Sequence, residues 1–140
     1  MYYYLSLGAN IGEREMTLRR ALEMIEQQIG HILRCSSYFY SAPWGYKSEN
    51  PFCNICCAVE TSLSPFDVLT ITQSIECALG RKEKTIEGKY QDRIIDIDLI
   101  RVFNNGKEIC ISTPELTLPH KLWQSRDFVT IPLSEIIESV

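Results

Sequence analysis

The stretch of sequence that decides the fold reads Asp92-Arg93-Ile94-Ile95-Asp96-Ile97-Asp98-Leu99-Ile100. Its β-branched and aliphatic residues are typical of a buried β-strand, which Val102 and Phe103 extend. Because side chains along a strand alternate between its two faces, Asp96 and Asp98 point the same way, with Cα atoms roughly 6–7 Å apart. The stretch therefore predicts an interior strand over Asp92–Phe103 with two carboxylates on one face.

Two carboxylates this close together need a physical explanation. Like charges repel in a poorly hydrated setting unless a cation lies between them. Mg²⁺ is the natural candidate, because it prefers carboxylate oxygens and often brings substrate phosphates with it. Arg93 adds a guanidinium suited to phosphate oxygens. The alternative is an exposed edge strand with two solvated acids, but the apolar neighbours favour an interior strand and a metal–phosphate site at Asp96 and Asp98.

Composition limits the kind of protein. The chain has 140 residues, of which 45% are hydrophobic, and this predicts one globular domain over residues 1–140. Its net charge of -4 argues against a general binder of nucleic acid or anionic membranes. No apolar run approaches the roughly 20 residues of a membrane span, and the first residues lack the features of a signal peptide. These observations predict a cytoplasmic protein.

The six cysteines suggest neither disulfides nor zinc. On a strand, Cys53 and Cys57 face one side and Cys56 the other, so the three do not converge on one ion. His31 and His120 are the two histidines of the sequence, and they are isolated from each other. We expect buried, reduced cysteines at positions 35, 53, 56, 57, 77 and 110. For His31, we expect an exposed residue at a helix end without a function.

The order of the predicted elements indicates the fold class. Strands are predicted at Tyr2–Leu7, Ile32–Tyr40, Phe52–Thr61, Asp92–Phe103 and Glu108–Ile111, the last of them after an Asn104-Asn105-Gly106 turn. Helices are predicted at Glu13–Ile29 and Pro65–Leu79, with a short one from Leu133. A charged loop is predicted at Arg81–Gln91. The order β-α-β-β-α-β is that of a ferredoxin-like α+β domain. It predicts an antiparallel sheet with both main helices on one face, plus a C-terminal hairpin strand. The other face is left for extra strands, loops and ligand.

Seven motifs occur in a fixed order along nearly the whole chain. They are Ser6-Leu7-Gly8-Ala9-Asn10, Tyr40-Ser41-Ala42-Pro43-Trp44-Gly45, Phe52-x-Asn54, Gln73-x-x-Glu76, Gly80-Arg81, Arg93-x-x-Asp96-x-Asp98 and Leu118-Pro119-His120-x5-Arg126-x-Phe128. In this order and spacing the chain resembles the 6-hydroxymethyl-7,8-dihydropterin pyrophosphokinases of folate biosynthesis. The resemblance implies transfer of the β,γ-diphosphate of ATP to the hydroxymethyl oxygen of the dihydropterin, with release of AMP.

The resemblance also implies roles on the phosphate and nucleotide side. Asp96 and Asp98 would hold two Mg²⁺ ions that bridge the phosphates and the attacking hydroxyl. The donors to phosphate oxygens would be Arg81, Arg93, His120 and Arg126. The nucleotide side would be lined by Gln73, Glu76 and Thr117. The sequence has no Walker-type phosphate-binding loop, so side chains must hold ATP.

On the pterin side, the resemblance implies that Phe52 and Phe128 cover the two faces of the ring and that Asn54 lies at its edge. Phe52 and Asn54 do share one strand face. The other implied neighbours are Ser41 and Ala42 through their backbone, Trp44 as a wall of the pocket, and Tyr90. For Phe52 and Phe128 the alternative is core packing, and for Asn54 it is an amide at a strand edge.

Two alternatives to an active enzyme of this family fit the same fold. A ferredoxin-like RNA-binding module needs exposed aromatic residues on central strands and a basic sheet surface, and this acidic chain offers Asn54, Cys56, Asp96 and Asp98 there instead. The second alternative is an inactive member of the same family, or one enzyme of a fused pair, and no feature of the sequence distinguishes it from an active single enzyme. We expect a monomeric enzyme that binds neither nucleic acid nor membranes.

Overall fold

The computed structural model describes residues 1–41, 51–80 and 95–137, together with the backbone of residues 85–86 and 89–90. The strands are β1 (Tyr2–Ala9), β2 (His31–Cys35), β3 (Phe39–Ser41), β4 (Phe52–Glu60), β5 (Thr85–Ile86), β6 (Lys89–Tyr90), β7 (Asp96–Asn104), β8 (Lys107–Glu108), β9 (Ile111–Ser112) and β10 (Thr117–Leu118). The helices are α1 (Arg14–Gln28), α2 (Pro65–Ala78) and α3 (Asp127–Ile136), with a 3₁₀ turn at Trp123–Ser125.

The main sheet is antiparallel and has the order β2-β4-β1-β7-β8, with β3 also paired to β4. The predicted ferredoxin-like arrangement is therefore confirmed. Strand β1 is central, because Leu5 lies opposite Cys57 of β4 on one side and Leu99 of β7 on the other. The predicted turn after β7 is also present, with Asn105 and Gly106 at positive φ angles of 51° and 81°.

Helices α1 and α2 pack on one face of the sheet, as predicted. Leu18, Ala21 and Ile25 of α1 repeat at helical spacing and are fully buried. The start of α2 is set by Ser64, whose Oγ accepts a hydrogen bond of 3.3 Å from the backbone N–H of Asp67. Its end is followed by Gly80 at a φ of 108°, a conformation that favours glycine.

The opposite face is partly covered by α3. Val129, Leu133 and Ile136 pack against Tyr4, Cys56, Ala58 and Ile100 of the sheet in a second buried cluster. The helix begins at Asp127, six positions before the predicted start at Leu133. The predicted start was wrong, because the helix continues through Pro132 and does not begin after it. A proline removes one backbone hydrogen bond, and here burial of the apolar side of α3 offsets that loss.

Three other sequence predictions need correction. The expected strand Ile32–Tyr40 is divided into β2 and β3. Ser36 Oγ accepts a hydrogen bond of 2.9 Å from the backbone N–H of Cys56, and the following Ser37 turns to bind Glu135 of α3. The expected strand Glu108–Ile111 is two short strands, of which β8 pairs with β7 and β9 with β10. Within the expected loop 81–91, β5 pairs with β6.

All six cysteines are free thiols, as predicted, but only Cys53, Cys56 and Cys57 are buried. Cys35, Cys77 and Cys110 are exposed, because β2 lies at the sheet edge, Cys77 lies on the outer side of α2 and Cys110 lies between β8 and β9. His31 is exposed, as expected, and its Nδ1 lies 3.2 Å from Glu26 Oε1. No helix in the described ranges is long and apolar enough to span a membrane.

Candidate active site

One row of residues across the sheet defines the centre of the candidate site. Gly8 of β1 lies opposite Asn54 on β4 and opposite Asp96 on β7. In the next row, Ser6 lies between Cys56 and Asp98. Directly opposed residues in an antiparallel sheet point to the same face. The predicted carboxylate pair therefore shares a face with the predicted pterin residue Asn54, while Ile97 and Leu99 are buried on the other face.

Gly8 is a residue whose role sequence reasoning missed. A Cβ atom at this position would lie 2.8 Å from Asn54 Oδ1 and 3.4 Å from Phe52 Cδ1. Only glycine therefore leaves room for these two side chains beside the central strand. The signal available in the sequence was the isolated Gly8 inside an otherwise apolar strand, which often marks the close approach of another group.

A cleft of about 290 Å³ lies beyond the edge of β7. It brings together six of the predicted nucleotide and metal residues: Gln73, Glu76, Asp96, Asp98, Thr117 and His120. Its walls come from α2, from β7 and from the segment that contains β10. Glu115 and Lys121 line the same cleft and were not predicted as site residues.

Glu76 differs from expectation in its burial. A glutamate side chain is seldom fully buried without a partner, yet only 6% of Glu76 is exposed, whereas Gln73 three residues earlier is exposed. Its Oε2 accepts a hydrogen bond of 2.7 Å from the backbone N–H of Ile97. Helix α2 thus supplies a carboxylate to the strand position between Asp96 and Asp98. Spacing alone could not reveal this contact, since it depends on how α2 lies against β7.

Two hydrogen bonds, one to the backbone of His120 and one to its ring, fix the position of this residue. Its N–H donates to Ile100 O at 2.8 Å, and its Nδ1 accepts from the backbone N–H of Leu122 at 3.2 Å. The proton of the neutral imidazole therefore lies on Nε2. Burial lowers the pKa of His120 below its usual 6.5; the Arg126 charge lowers it further and Asp96 partly opposes this. The charges of Arg126 and Asp96 therefore both act on the His120 ring.

Arg126 and Phe128 lie at the start of α3. The guanidinium carbon of Arg126 is 5.6 Å from the centre of the Phe128 ring, within the range of a cation–π contact. Phe128 is half-buried and packs against the apolar cluster beneath α3. The Cys56 thiol donates to Val129 O at 3.7 Å, which connects this end of the helix to the strand that carries Asn54.

Asn54 is buried, with an exposed fraction of 2%. Its Nδ2 donates to Phe39 O at 3.2 Å and to Ser41 Oγ at 2.8 Å. Both amide hydrogens are thereby used, so the group that Asn54 can offer a ligand is its carbonyl oxygen, an acceptor. Phe52, two residues away on the same face, is half-buried. The structure thus brings together Ser41, Phe52 and Asn54.

Several predicted site residues cannot be compared with the structure. Ala42, Trp44, Arg81 and Arg93 lie outside the described residues. Tyr90 is described only as the strand position opposite Thr85. Among the described residues, no group of three or more histidine, cysteine, aspartate or glutamate side chains is arranged to hold a metal ion.

Comparison with known proteins gives a consistent result. The family model described as 7,8-dihydro-6-hydroxymethylpterin-pyrophosphokinase matches residues 4–138. A Porphyromonas gingivalis protein named 2-amino-4-hydroxy-6-hydroxymethyldihydropteridine pyrophosphokinase is 46% identical over 134 residues, which cover 95% of this chain and 88% of the relative. A Bacillus subtilis protein of the same name is 38% identical over 138 residues, which cover 98% of this chain and 78% of the relative.

Solved structures support the fold. The chain is similar, with a TM-score of 0.70 and 16% identity, to a crystal structure described as HPPK-DHPS in complex with substrates. The similarity covers 97% of this chain and 40% of that longer chain. Because the family model spans nearly the whole sequence and two named relatives are matched over most of their length, the chain belongs to the 7,8-dihydro-6-hydroxymethylpterin-pyrophosphokinase family.

Proposed function

We propose that this protein transfers the β,γ-diphosphate of ATP to 6-hydroxymethyl-7,8-dihydropterin in folate biosynthesis. The hydroxymethyl oxygen forms a bond to the β-phosphorus, and the bond from that phosphorus to the α,β-bridging oxygen breaks. AMP leaves with the bridging oxygen, and the hydroxyl proton is released. The observation that carries the proposal is the row Asn54–Gly8–Asp96, which puts a pterin-type acceptor and a phosphate-side carboxylate on one sheet face.

The cleft beyond β7 supports the nucleotide half of the proposal. Gln73, Glu76 and Thr117 line it and would contact the nucleoside. His120 also lines it and, with its Nε2–H donor and with Arg126 nearby, would bind phosphate oxygens. By analogy with the family, Arg81 and Arg93 would have the same task. Phosphoryl transfer needs positioning and charge neutralisation more than covalent help, and these residues would provide both.

Asp96 and Asp98 fit a magnesium role. They point to one face, both line the cleft and both are half-exposed, so they can reach a bound ion. Two protein carboxylates with phosphates and water are a common magnesium environment. Two Mg²⁺ ions would neutralise phosphate charge and polarise the attacking hydroxyl. In magnesium binding, the contribution of the protein would be to orient these two carboxylates.

The neighbouring face supports the pterin half. A pterin is flat and carries N–H donors at its edge, which match the carbonyl oxygen of Asn54. Phe52 and Phe128 would cover its faces. Ser41, Ala42, Trp44 and Tyr90 would complete the pocket by analogy with the family.

We further infer a cytoplasmic monomer that binds neither nucleic acid nor membranes. The net charge of -4 supports the absence of nucleic-acid and membrane binding. The sheet face that an RNA-binding module would use carries Asp96 and Asp98 instead and is partly covered by α3.

An assay of AMP formation tests the proposal. With ATP, Mg²⁺ and the dihydropterin, we expect AMP at a rate that depends on both substrates. A matched control uses the 6-methyl analogue, which binds the same pocket but lacks the attacking hydroxyl, and we expect no AMP above background. AMP formation that is independent of the dihydropterin would contradict the proposal, and so would a rate unaffected by chelation of Mg²⁺.

A further inference from the structure

Arg14, the first residue of α1, contacts the chain on both sides of the connection between β3 and β4. Its Nη1 donates a hydrogen bond of 2.7 Å to Pro51 O, immediately before β4. Its guanidinium carbon lies 5.4 Å from the ring centre of Tyr40 in β3, a cation–π contact. One side chain therefore joins the end of β3 to the start of β4.

A second layer of contacts stabilises this arrangement. The hydroxyl of Tyr40 donates to Glu15 Oε1 at 3.0 Å, and Arg14 Nη2 lies 3.9 Å from the same oxygen. The hydrogen bond to Glu15 is the largest cause that raises the pKa of Tyr40 to about 12. The pKa of Glu15 is lowered, first by its backbone N–H and then by Tyr40. At neutral pH the cluster consists of a guanidinium, a carboxylate and a neutral phenol donor.

The strand ends held by this cluster carry the described residues of the pterin side. Ser41 follows Tyr40, Phe52 follows Pro51, and Ser41 and Phe52 are register partners. Ser41 Oγ in turn accepts a hydrogen bond of 2.8 Å from Asn54 Nδ2. A shift of either strand end would move the hydroxyl, the ring and the amide relative to one another.

We propose that Arg14 is a positioning residue for pterin binding, which it supports by joining Tyr40 to Pro51 without touching the substrate. The inference rests on the proposed function and adds a residue that does not line the cleft of Asp96 and Asp98. Contacts to the pterin ring are made equally in the ground state and the transition state, so their loss raises KM rather than lowering kcat. Arg14 should therefore affect the KM for the dihydropterin selectively.

The test compares Arg14→Ala with Arg20→Ala, a control that removes an exposed arginine from the same helix. For Arg14→Ala we expect the KM for the dihydropterin to rise about tenfold, the scale of a lost charged hydrogen bond. The KM for ATP and kcat should stay within about twofold of wild type. Arg14→Lys keeps a cationic donor and should recover part of the loss. Arg20→Ala should match wild type.

A purely structural role predicts a different pattern. If both KM values rise together with a lower melting temperature, or if the pterin KM is unchanged in a folded Arg14→Ala protein, the inference is overturned. Should Arg14→Ala fail to fold, Arg14→Lys and Tyr40→Phe carry the test, since each keeps part of the cluster; a pterin KM unchanged in both overturns it. A wild-type protein without pterin-dependent AMP formation would overturn the proposed function and this inference together, whereas an active enzyme insensitive to Arg14 overturns the inference alone.

Discussion

The carboxylate of Glu76 accepts a 2.7 Å hydrogen bond from the backbone N–H of Ile97, the residue that separates Asp96 from Asp98. This N–H lies on the edge of β7 that faces the cleft, away from β1. A buried acceptor at this position fixes the strand between the two proposed metal carboxylates. Outer contacts of this kind orient the groups that bind a metal directly.

The first prediction concerns this contact. Glu76→Ala should raise the Mg²⁺ concentration needed for half-maximal rate by roughly tenfold or more, the usual effect of losing a supporting partner. Glu76→Gln retains a carbonyl oxygen that can accept from Ile97, so it should stay within a few-fold of wild type. Magnesium titrations of the initial rate measure both effects. Ser74→Ala, which changes an exposed residue of the same helix outside the cleft, is the control. Equal impairment of the glutamine and alanine variants would show that charge, and not the hydrogen bond, is what matters.

The carboxylate pair itself gives the second prediction. Asp96→Ala or Asp98→Ala should reduce kcat by well over tenfold, which corresponds to more than about 1.4 kcal/mol in the barrier. The melting temperature should not fall, because each change also relieves repulsion between like charges. Glu23→Gln removes an exposed carboxylate from α1 and serves as the control. Either variant retaining a tenth of the wild-type kcat would refute the metal role.

The third prediction uses Tyr3, a fully buried tyrosine whose hydroxyl donates to Leu63 O at 2.5 Å. Burial, followed by the charge of Asp67, raises the pKa of Tyr3 to about 12 from its usual 10.0. The unfolded chain therefore loses this proton more readily than the native protein. The stability that Tyr3 contributes is fully present below pH 10 and is lost as the pH rises through about 12.

Urea unfolding at several alkaline pH values measures the effect. The free energy of unfolding should fall more steeply between pH 10 and pH 12 for wild type than for Tyr3→Phe. The other titrating groups are common to both proteins, so their contributions cancel in the comparison. Tyr38→Phe, which changes an exposed tyrosine, should follow wild type. Parallel pH curves for wild type and Tyr3→Phe would contradict the prediction.

The fourth prediction concerns the thiols. Burial raises the pKa of Cys53 to about 11 and that of Cys56 to about 12, and it raises the pKa of Cys57 well above the usual value. Because the thiolate is the reactive form, these three should react slowly with a disulfide reagent in the native protein. Cys35, Cys77 and Cys110 are exposed and should react first. All six should titrate after unfolding without reductant. A mass deficit of two hydrogens for any cysteine pair, or stoichiometric zinc, would contradict this.

The sheet and its carboxylate face could be predicted because they depend on periodicity that is local in the sequence. The alternation of Asp96, Ile97 and Asp98 gives the faces of β7 directly, and the opposed faces of Cys56 and Cys57 were correct for the same reason. The serine cap of α2 is equally local.

Features that depend on distant contacts could not be predicted. Glu76 reaches Ile97 only because α2 packs against β7, and Gly8 is required only because Asn54 and Phe52 come from another strand. The division of the strand after β2 has the same origin. Ser37 leaves the sheet to bind Glu135 of α3 through its N–H and its hydroxyl, at 2.9 and 2.8 Å. In each case a tertiary contact overrides the local pattern.

The most direct test of the central claim identifies the products of one turnover. Wild-type protein with ATP, Mg²⁺ and 6-hydroxymethyl-7,8-dihydropterin should yield AMP and a pterin diphosphate in equal amounts, as followed by ³¹P NMR and mass spectrometry. This outcome requires attack by the hydroxymethyl oxygen on the β-phosphorus. Formation of ADP with a pterin monophosphate, or of AMP with free pyrophosphate and unchanged pterin, would contradict the account.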